Sequence, residues 1–255
     1  MAKIALVTGA TGGIGGEFVH EICSNPAYTE IDEIWAIGRN AEKLASLRSA
    51  STKVVSVEAD LSTDGIDVLG RKLRESAPDI RLLVNNAGTA YMGLFEKMGK
   101  EQVECMCRTN CDAIAALIAL SLPYMREGAA IVNVSSAASF QPNPYLTLYS
   151  ASKVFVRQLS RALAVELKGR GIHVTCVCPG WVDTGMLPRE KDGRKIHYPG
   201  MTSASKVARK ALSDSRKGKT MSVPSLFAKF CHIYGKIMPA GLVMRQWTRM
   251  TARYV

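Results

Sequence analysis

Three features of the chain predict a single-domain α/β fold built on a doubly wound, mainly seven-stranded parallel sheet. Short apolar runs recur along the sequence, segments of helical length separate them, and a glycine-rich turn follows the first run. Continuous apolar strands alternating with helices imply a parallel sheet covered on both faces, because each crossover lays a helix over the sheet. At 255 residues, the chain is long enough to enclose such a core in one unit.

The first strand is expected at residues 3–8, ending in the glycine-rich turn of residues 8–15 and leading into a helix. Residues 24–31 form a long link, expected to be a surface loop remote from any chemistry. Further strands are expected at 34–37, 54–57, 81–84, 130–134 and 172–177, with a seventh at 220–223. Helical patterns fill 100–125 and 148–168. No repeat, low-complexity segment or linker interrupts the chain before residue 215. Residues 1–224 therefore read as a Rossmann-type dinucleotide-binding and catalytic domain. Residues 225–255 read as a basic, apolar extension, either part of that domain or a contact with a membrane or another subunit.

Composition narrows the class. A hydrophobic content of 47% with 22% charged residues excludes a disordered, collagenous or disulfide-scaffold chain. Cysteines 23, 105, 107, 111, 176, 178 and 231 are odd in number and lack CxxC spacing, which points to unpaired thiols and a reducing compartment. The N-terminus leads directly into a strand, and no run reaches the ~18 apolar residues of a spanning helix. A cytoplasmic location is expected. The net charge of +11 is concentrated: residues 215–255 hold eight basic residues and no acidic one. Apolar residues at helical spacing between those charges suit peripheral membrane contact as well as packing over the substrate mouth. No nucleic-acid motif accompanies the charge, so no nucleic-acid partner is expected. His20, His173, His197 and His232 form no spaced cluster, and no metal is expected.

The turn Thr8-Gly9-Ala10-Thr11-Gly12-Gly13-Ile14-Gly15 lies where a helix N-terminus presents free N–H groups to a phosphate. Its glycines permit the tight turn and let the backbone approach a pyrophosphate. An NAD site would carry an acid at the end of the second strand to bind the ribose 2′-OH. Here the strand ends in Gly38-Arg39-Asn40, while Asp32 and Glu33 precede it. An arginine fork suits a 2′-phosphate, so the expected cofactor is NADP(H).

Tyr149-Ser-Ala-Ser-Lys153 places a phenol and an ammonium on one helical face, one turn apart. A free phenol titrates near 10, and a neighbouring cation favours its ionised form. Ser136 ends the preceding strand and offers a hydroxyl to polarise a carbonyl; Ser135 is the alternative, because neighbours on a strand face opposite ways.

Residues 8–15, Asp60-Leu61, Asn85-Asn86-Ala87-Gly88, Asn110, Ser136, Tyr149-x-x-x-Lys153 and Pro179-Gly180-x-x-x-Thr184 together resemble the ordered motif series of the short-chain dehydrogenase/reductase family, over about residues 3–185. The resemblance implies a general acid or base at Tyr149, with Lys153 lowering its pKa and binding the nicotinamide ribose. It implies that Ser136 orients the carbonyl and that Asn110 holds the water linking Lys153 to solvent. Cofactor contacts are implied at Gly9, Thr11, Gly12, Gly13, Ile14, Asp60, Leu61, Asn86, Ala87, Gly88, Pro179, Gly180, Val182 and Thr184, besides Arg39. A small-molecule carbonyl/alcohol pair is the implied substrate, and a homodimer or homotetramer the implied assembly.

Residues 182–201 are expected to cover the substrate. They mix Met186, Leu187 and Tyr198 with Arg189, Lys191, Arg194 and Lys195, which would suit an apolar carbonyl compound with an anionic group, such as a 3-ketoacyl thioester. Residues 140–146 form a further apolar wall of the kind found in relatives acting on steroids. The rival class is an NADP(H)-sensing regulatory protein without catalysis, which would need the glycine turn but not Ser136, Tyr149 and Lys153. An epimerase or dehydratase is a further alternative, for which the chain lacks a sugar-nucleotide domain.

Overall fold

The computed structural model describes residues 1–187, 189–191 and 194–252, apart from the side chains of Lys191 and Arg194. Seven strands form one sheet: β1 (Lys3–Thr8), β2 (Glu33–Gly38), β3 (Val54–Glu58), β4 (Asp79–Asn85), β5 (Ala130–Val134), β6 (His173–Val177) and β7 (Met221–Ser222). Their order is β7-β6-β5-β4-β1-β2-β3, with every neighbouring pair parallel. Ile4, Ala5, Leu6 and Val7 of β1 are all buried, because successive side chains enter cores on opposite faces. The absence of apolar–polar alternation in the sequence has that cause.

The two faces are covered by different helices. On one, Phe18, Val19 and Ile22 of α1 (Gly13–Ser24) meet Ala208, Ala211 and Leu212 of α7 (Ala204–Arg216), with Leu44 of α2 (Ala41–Ala50) beside them. On the other lie Leu69 and Leu73 of α3 (Gly65–Ser76). Beside α3 pack Ile114, Leu117 and Ile118 of α5 (Ala113–Ser121) and Val156 of α6 (Thr147–Glu166). The strand order reverses between β1 and β4. The connections leaving the carboxyl ends of those two paired strands therefore run to opposite faces of the sheet and open the crevice where α/β sheets bind ligands.

Three details depart from the sequence expectations. The 24–31 link is not only a surface loop: a 3-10 turn at Pro26–Tyr28 drives Tyr28 and Ile31 into the core. The helical pattern of 100–125 is α4 (Lys100–Cys107), a π-helical turn at Arg108–Asp112, then α5. The stretch Lys100–Tyr124 is long and apolar enough by composition to cross a membrane, yet α5 packs its apolar residues into the sheet-face core. Lastly, residues 182–201 are not an open loop: Val182–Asp183 pairs with Thr202–Ser203, and Glu190–Lys191 forms a hairpin with Arg194–Lys195.

Beyond β7 the chain forms α8 (Leu226–Ile237) and α9 (Ala240–Thr251), both folded back onto the domain. Ser225 caps α8 by accepting from the Ala228 amide at 3.1 Å. His232 stacks on Phe140 with ring centroids 4.5 Å apart, and the Trp247 indole donates to the Pro144 carbonyl at 2.8 Å. β7, where this segment starts, is held by buried Asp214, which accepts from Ser222 Oγ at 2.7 Å and pairs with Lys219 at 3.0 Å. Arg253 lies outside the described residues.

Candidate active site

The crevice opens into a continuous cavity of ≈ 1170 Å³. Its floor is the glycine turn. Gly9 adopts φ +63°, a region that L side chains rarely enter. A β-carbon at Gly15 would lie 2.0 Å from the Gly9 carbonyl oxygen, so the first turn of α1 is pressed against the turn that precedes it. Gly12, the N-cap, supplies no side-chain hydrogen bond, which leaves the opening amides of α1 available to an anion. Thr8 Oγ1 accepts from the amides of Asn86 and Ala87 at 2.9 and 3.0 Å. Asn86 Nδ2 donates back to the Thr8 carbonyl at 3.0 Å. These bonds tie the ends of β1 and β4 together at the reversal point. The bare, concave backbone at Gly9, Gly12 and Gly13 fits the pyrophosphate of a dinucleotide.

At one end the cavity is lined by Gly38, Arg39, Asn40, Lys43, Asp60 and Leu61. Arg39 is mostly exposed and lies 3.6 Å from an Asp60 carboxyl oxygen. Asn40 caps α2 by accepting from the Lys43 amide at 2.8 Å. Burial pushes the Asp60 carboxyl up, but hydrogen bonds from Ser62 and the Arg39 guanidinium outweigh it and hold the group below its ordinary range. Lys43 is a second cation here that motif reading missed. Its signal was present, since it lies in the first turn of the helix that follows Arg39 and Asn40.

In the middle, the Ser136 hydroxyl faces the Tyr149 phenol and favours its ionised form. Ser136 Oγ also accepts from the Ala138 amide at 3.1 Å. Ser135 is committed elsewhere: its hydroxyl donates to the Lys153 carbonyl at 2.7 Å. Lys153 is buried, donates from Nζ to the Val134 carbonyl at 3.0 Å, and holds Nζ 5.7 Å from the centre of the Tyr149 ring. Burial lowers the Lys153 pKa to about 8. Burial raises the Tyr149 phenol above its usual value, with the Ser136 hydroxyl opposing it. The pairing thus differs from the expectation that Lys153 lowers the phenol pKa: dehydration of the phenol is the larger effect.

Asn110 sits in the π-helical turn, fully buried. Its Oδ1 accepts from the Thr89 amide at 2.9 Å, and its Nδ2 donates to the Thr89 carbonyl and to Ser152 Oγ. Both amide hydrogens are used, while Oδ1 keeps one lone pair. A β-carbon at Gly88 would lie 3.2 Å from that oxygen and 3.3 Å from Lys153 Nζ. Gly88 therefore leaves a polar gap between the two side chains.

The remaining predicted residues follow β6. Pro179 accepts from the Ala137 amide at 2.7 Å, and Val182 is buried. The Thr184 methyl would lie 2.7 Å from a β-carbon on Gly13, so this loop closes onto the start of α1. Gly180 and Gly200 make room for the first turn of α8; a β-carbon at Gly200 would fall 2.4 Å from Phe227 Cβ.

The far end of the cavity is aromatic. Leu146, Trp181, Tyr198, Phe227, Trp247 and Met250 line it, with Trp181 tilted against Tyr198 at a centroid distance of 4.9 Å and stacked on Trp247 at 6.1 Å. Sequence reading had Met186, Leu187 and Tyr198 here and offered packing of the C-terminal segment over the mouth as one alternative; α8 and α9 do line this end. The expected basic lining is not found among the described residues. Arg189 pairs with Asp183 and is half exposed, Lys195 is exposed, and neither lines the cavity; the side chains of Lys191 and Arg194 lie outside the described set. Among the described residues, charge in the cavity wall is confined to Arg39, Lys43 and Asp60 at one end and Lys153 in the middle.

Comparison with known proteins agrees with this geometry. The profile of the short chain dehydrogenase family matches residues 3–195. Nodulation protein G from Rhizobium sp. (strain N33) is 33% identical over 195 residues, covering 75% of this chain and 78% of that protein. Very-long-chain 3-oxoacyl-CoA reductase from Anas platyrhynchos is 34% identical over 193 residues, covering 71% of this chain and 60% of that protein. Among solved structures, a short-chain dehydrogenase from Sphingobium yanoikuyae in complex with NADPH superposes with a TM-score of 0.77 at 28% identity, covering 95% of each chain.

Proposed function

Since the chain belongs to the short-chain dehydrogenase family and is an oxidoreductase built to bind a nicotinamide cofactor, we propose that it uses NADP(H) to interconvert a ketone and a secondary alcohol on a bulky, uncharged, apolar substrate. The observation that carries this reading is the position of Ser136, Tyr149 and Lys153, midway between the glycine turn and the aromatic end of one cavity. The nicotinamide, when bound, supplies the hydride in reduction and takes it in oxidation.

The chain's own groups do the rest. Tyr149, kept protonated by burial, donates its proton to the carbonyl oxygen, and Ser136 Oγ holds that oxygen by a second hydrogen bond. Lys153 provides positive charge beside the forming phenolate and hydrogen-bond donors for the nicotinamide ribose. Asn110 is a positioning residue that fixes Thr89 and leaves a lone pair for a water beside Lys153. The wall of Trp181, Tyr198 and Trp247 excludes water and receives a flat or extended apolar body, as in a ketosteroid or 3-ketoacyl chain. With no charged side chain at that end among the described residues, an anionic group on the substrate would have to project out of the cavity.

An assay following oxidation of NADPH or NADH over ketosteroids, 3-ketoacyl thioesters and small ketones tests both parts. Turnover faster with NADH, or confined to small ketones, would overturn the corresponding half of the proposal. Arg39→Ala is expected to raise KM for NADPH by about 10- to 100-fold and to leave KM for NADH nearly unchanged, the loss expected from removing a charged partner of a phosphate. Reduction should also follow the charge on Lys153. Its pKa is depressed to about 8, so the ammonium is present below that value and lost as pH rises through it. The kcat/KM for reduction is therefore expected to fall above about pH 8, and a profile still flat at about pH 10 would exclude a role for the charge.

A further inference from the structure

One face of α8 remains uncovered. Leu226, Phe230, Ile233 and Ile237 are 82%, 61%, 60% and 74% exposed, whereas Ala228 on the opposite side is fully buried. At 3.6 residues per turn these four side chains fall within an arc of about 60°. Lys229 and Lys236 lie together along one edge of that arc and are exposed. The other face of the same helix lines the cavity through Phe227, Cys231 and Tyr234, and Phe230, stacked on Tyr234, reaches the cavity rim from the exposed stripe.

We propose that α8 docks this stripe on an anionic lipid surface, seating the cavity mouth at the membrane. Charge distinguishes this occupant from a second copy of the chain. From residue 215 onward there are basic residues and no acidic ones, so a two-fold contact through α8 would set lysines against lysines with nothing to pair them. A leaflet of anionic headgroups over acyl chains supplies both complements, negative charge for Lys229 and Lys236 and hydrocarbon for the four apolar side chains. α8 then forms the boundary between the lipid and the cavity. That an apolar substrate would enter by this route rests on the function proposed above; the docking itself does not.

The test uses the full chain and vesicles of phosphatidylcholine with and without ~30% phosphatidylserine, an anionic content sufficient for a negative surface potential. The chain should co-sediment with the anionic vesicles and be released by salt. A combined Leu226→Ser, Ile233→Ser, Ile237→Ser variant, none of whose sites lines the cavity, should bind ~tenfold or more weakly while keeping its melting temperature. Lys229→Gln with Lys236→Gln should weaken binding to anionic vesicles by about tenfold. No sedimentation of the parent chain, or equal sedimentation of the serine variant, would overturn the proposal. So would a serine variant that dissociates a dimer in vesicle-free solution while the parent ignores vesicles, which would give the face to a second copy. None of these readouts depends on turnover.

Discussion

Tyr149→Phe is expected to lower kcat for ketone reduction by about a thousandfold, within the usual range for a removed general acid, and to leave the Kd for NADPH nearly unchanged. The substitution removes one oxygen and keeps the ring, so the half-buried cavity wall that Tyr149 forms loses little volume. Ser136 retains its bond from the Ala138 amide and cannot replace the lost donor, because an aliphatic hydroxyl is a much weaker acid than a phenol. Single-turnover measurement with preloaded NADPH separates the chemical step from binding and release. A variant that kept the parent's single-turnover rate would move proton donation to another group.

Gly15→Ala is expected to destabilise the chain by about 3 kcal/mol, the upper part of the range for forced overpacking, and to weaken cofactor binding with it. Two effects oppose each other here. Alanine in a helix is intrinsically better than glycine by about 1 kcal/mol. Against that, its β-carbon would lie 2.0 Å from the Gly9 carbonyl oxygen, which cannot retreat. Gly9 is held at positive φ, and Asn86 and the Ala10–Ile37 backbone bond fix the turn on either side. For a chain of this size the loss corresponds to a fall in Tm of about 6–12 °C. Gly16→Ala is the control, because its β-carbon would sit at an ordinary 3.4 Å from the Ala10 carbonyl oxygen. If both variants melted like the parent, the tight approach at Gly15 would not be a constraint on the fold.

The sheet was legible because each strand is an unbroken apolar run, a pattern that only two-sided burial produces, and because the turn after β1 carries its glycines in order. Ser136, Tyr149 and Lys153 could be named because they belong to one local strand-to-helix connection, where spacing determines which side chains meet. Lys43 went unnoticed for want of a motif, although it lies in the first turn of the helix directly after Arg39. The aromatic end of the cavity was not legible. Trp181, Tyr198, Phe227 and Trp247 come from three separate segments, and only the folding-back of α8 and α9 brings them together. The basic residues of 189–195 misled for the same reason: composition reports that charge is near in sequence, not which way a hairpin turns it. The π-helical turn at Asn110 left no mark in a run whose apolar spacing reads as one continuous helix.

Floor and wall of the cavity thus come from stretches of chain with separate structural duties. Residues from Phe227 to Met250 contribute no strand, and the sheet has its last strand before they begin. Variation in that stretch can reshape what the pocket accepts without disturbing a single ladder bond or the turn that holds the nucleotide. Selectivity and chemistry are consequently free to diversify at different rates within one fold.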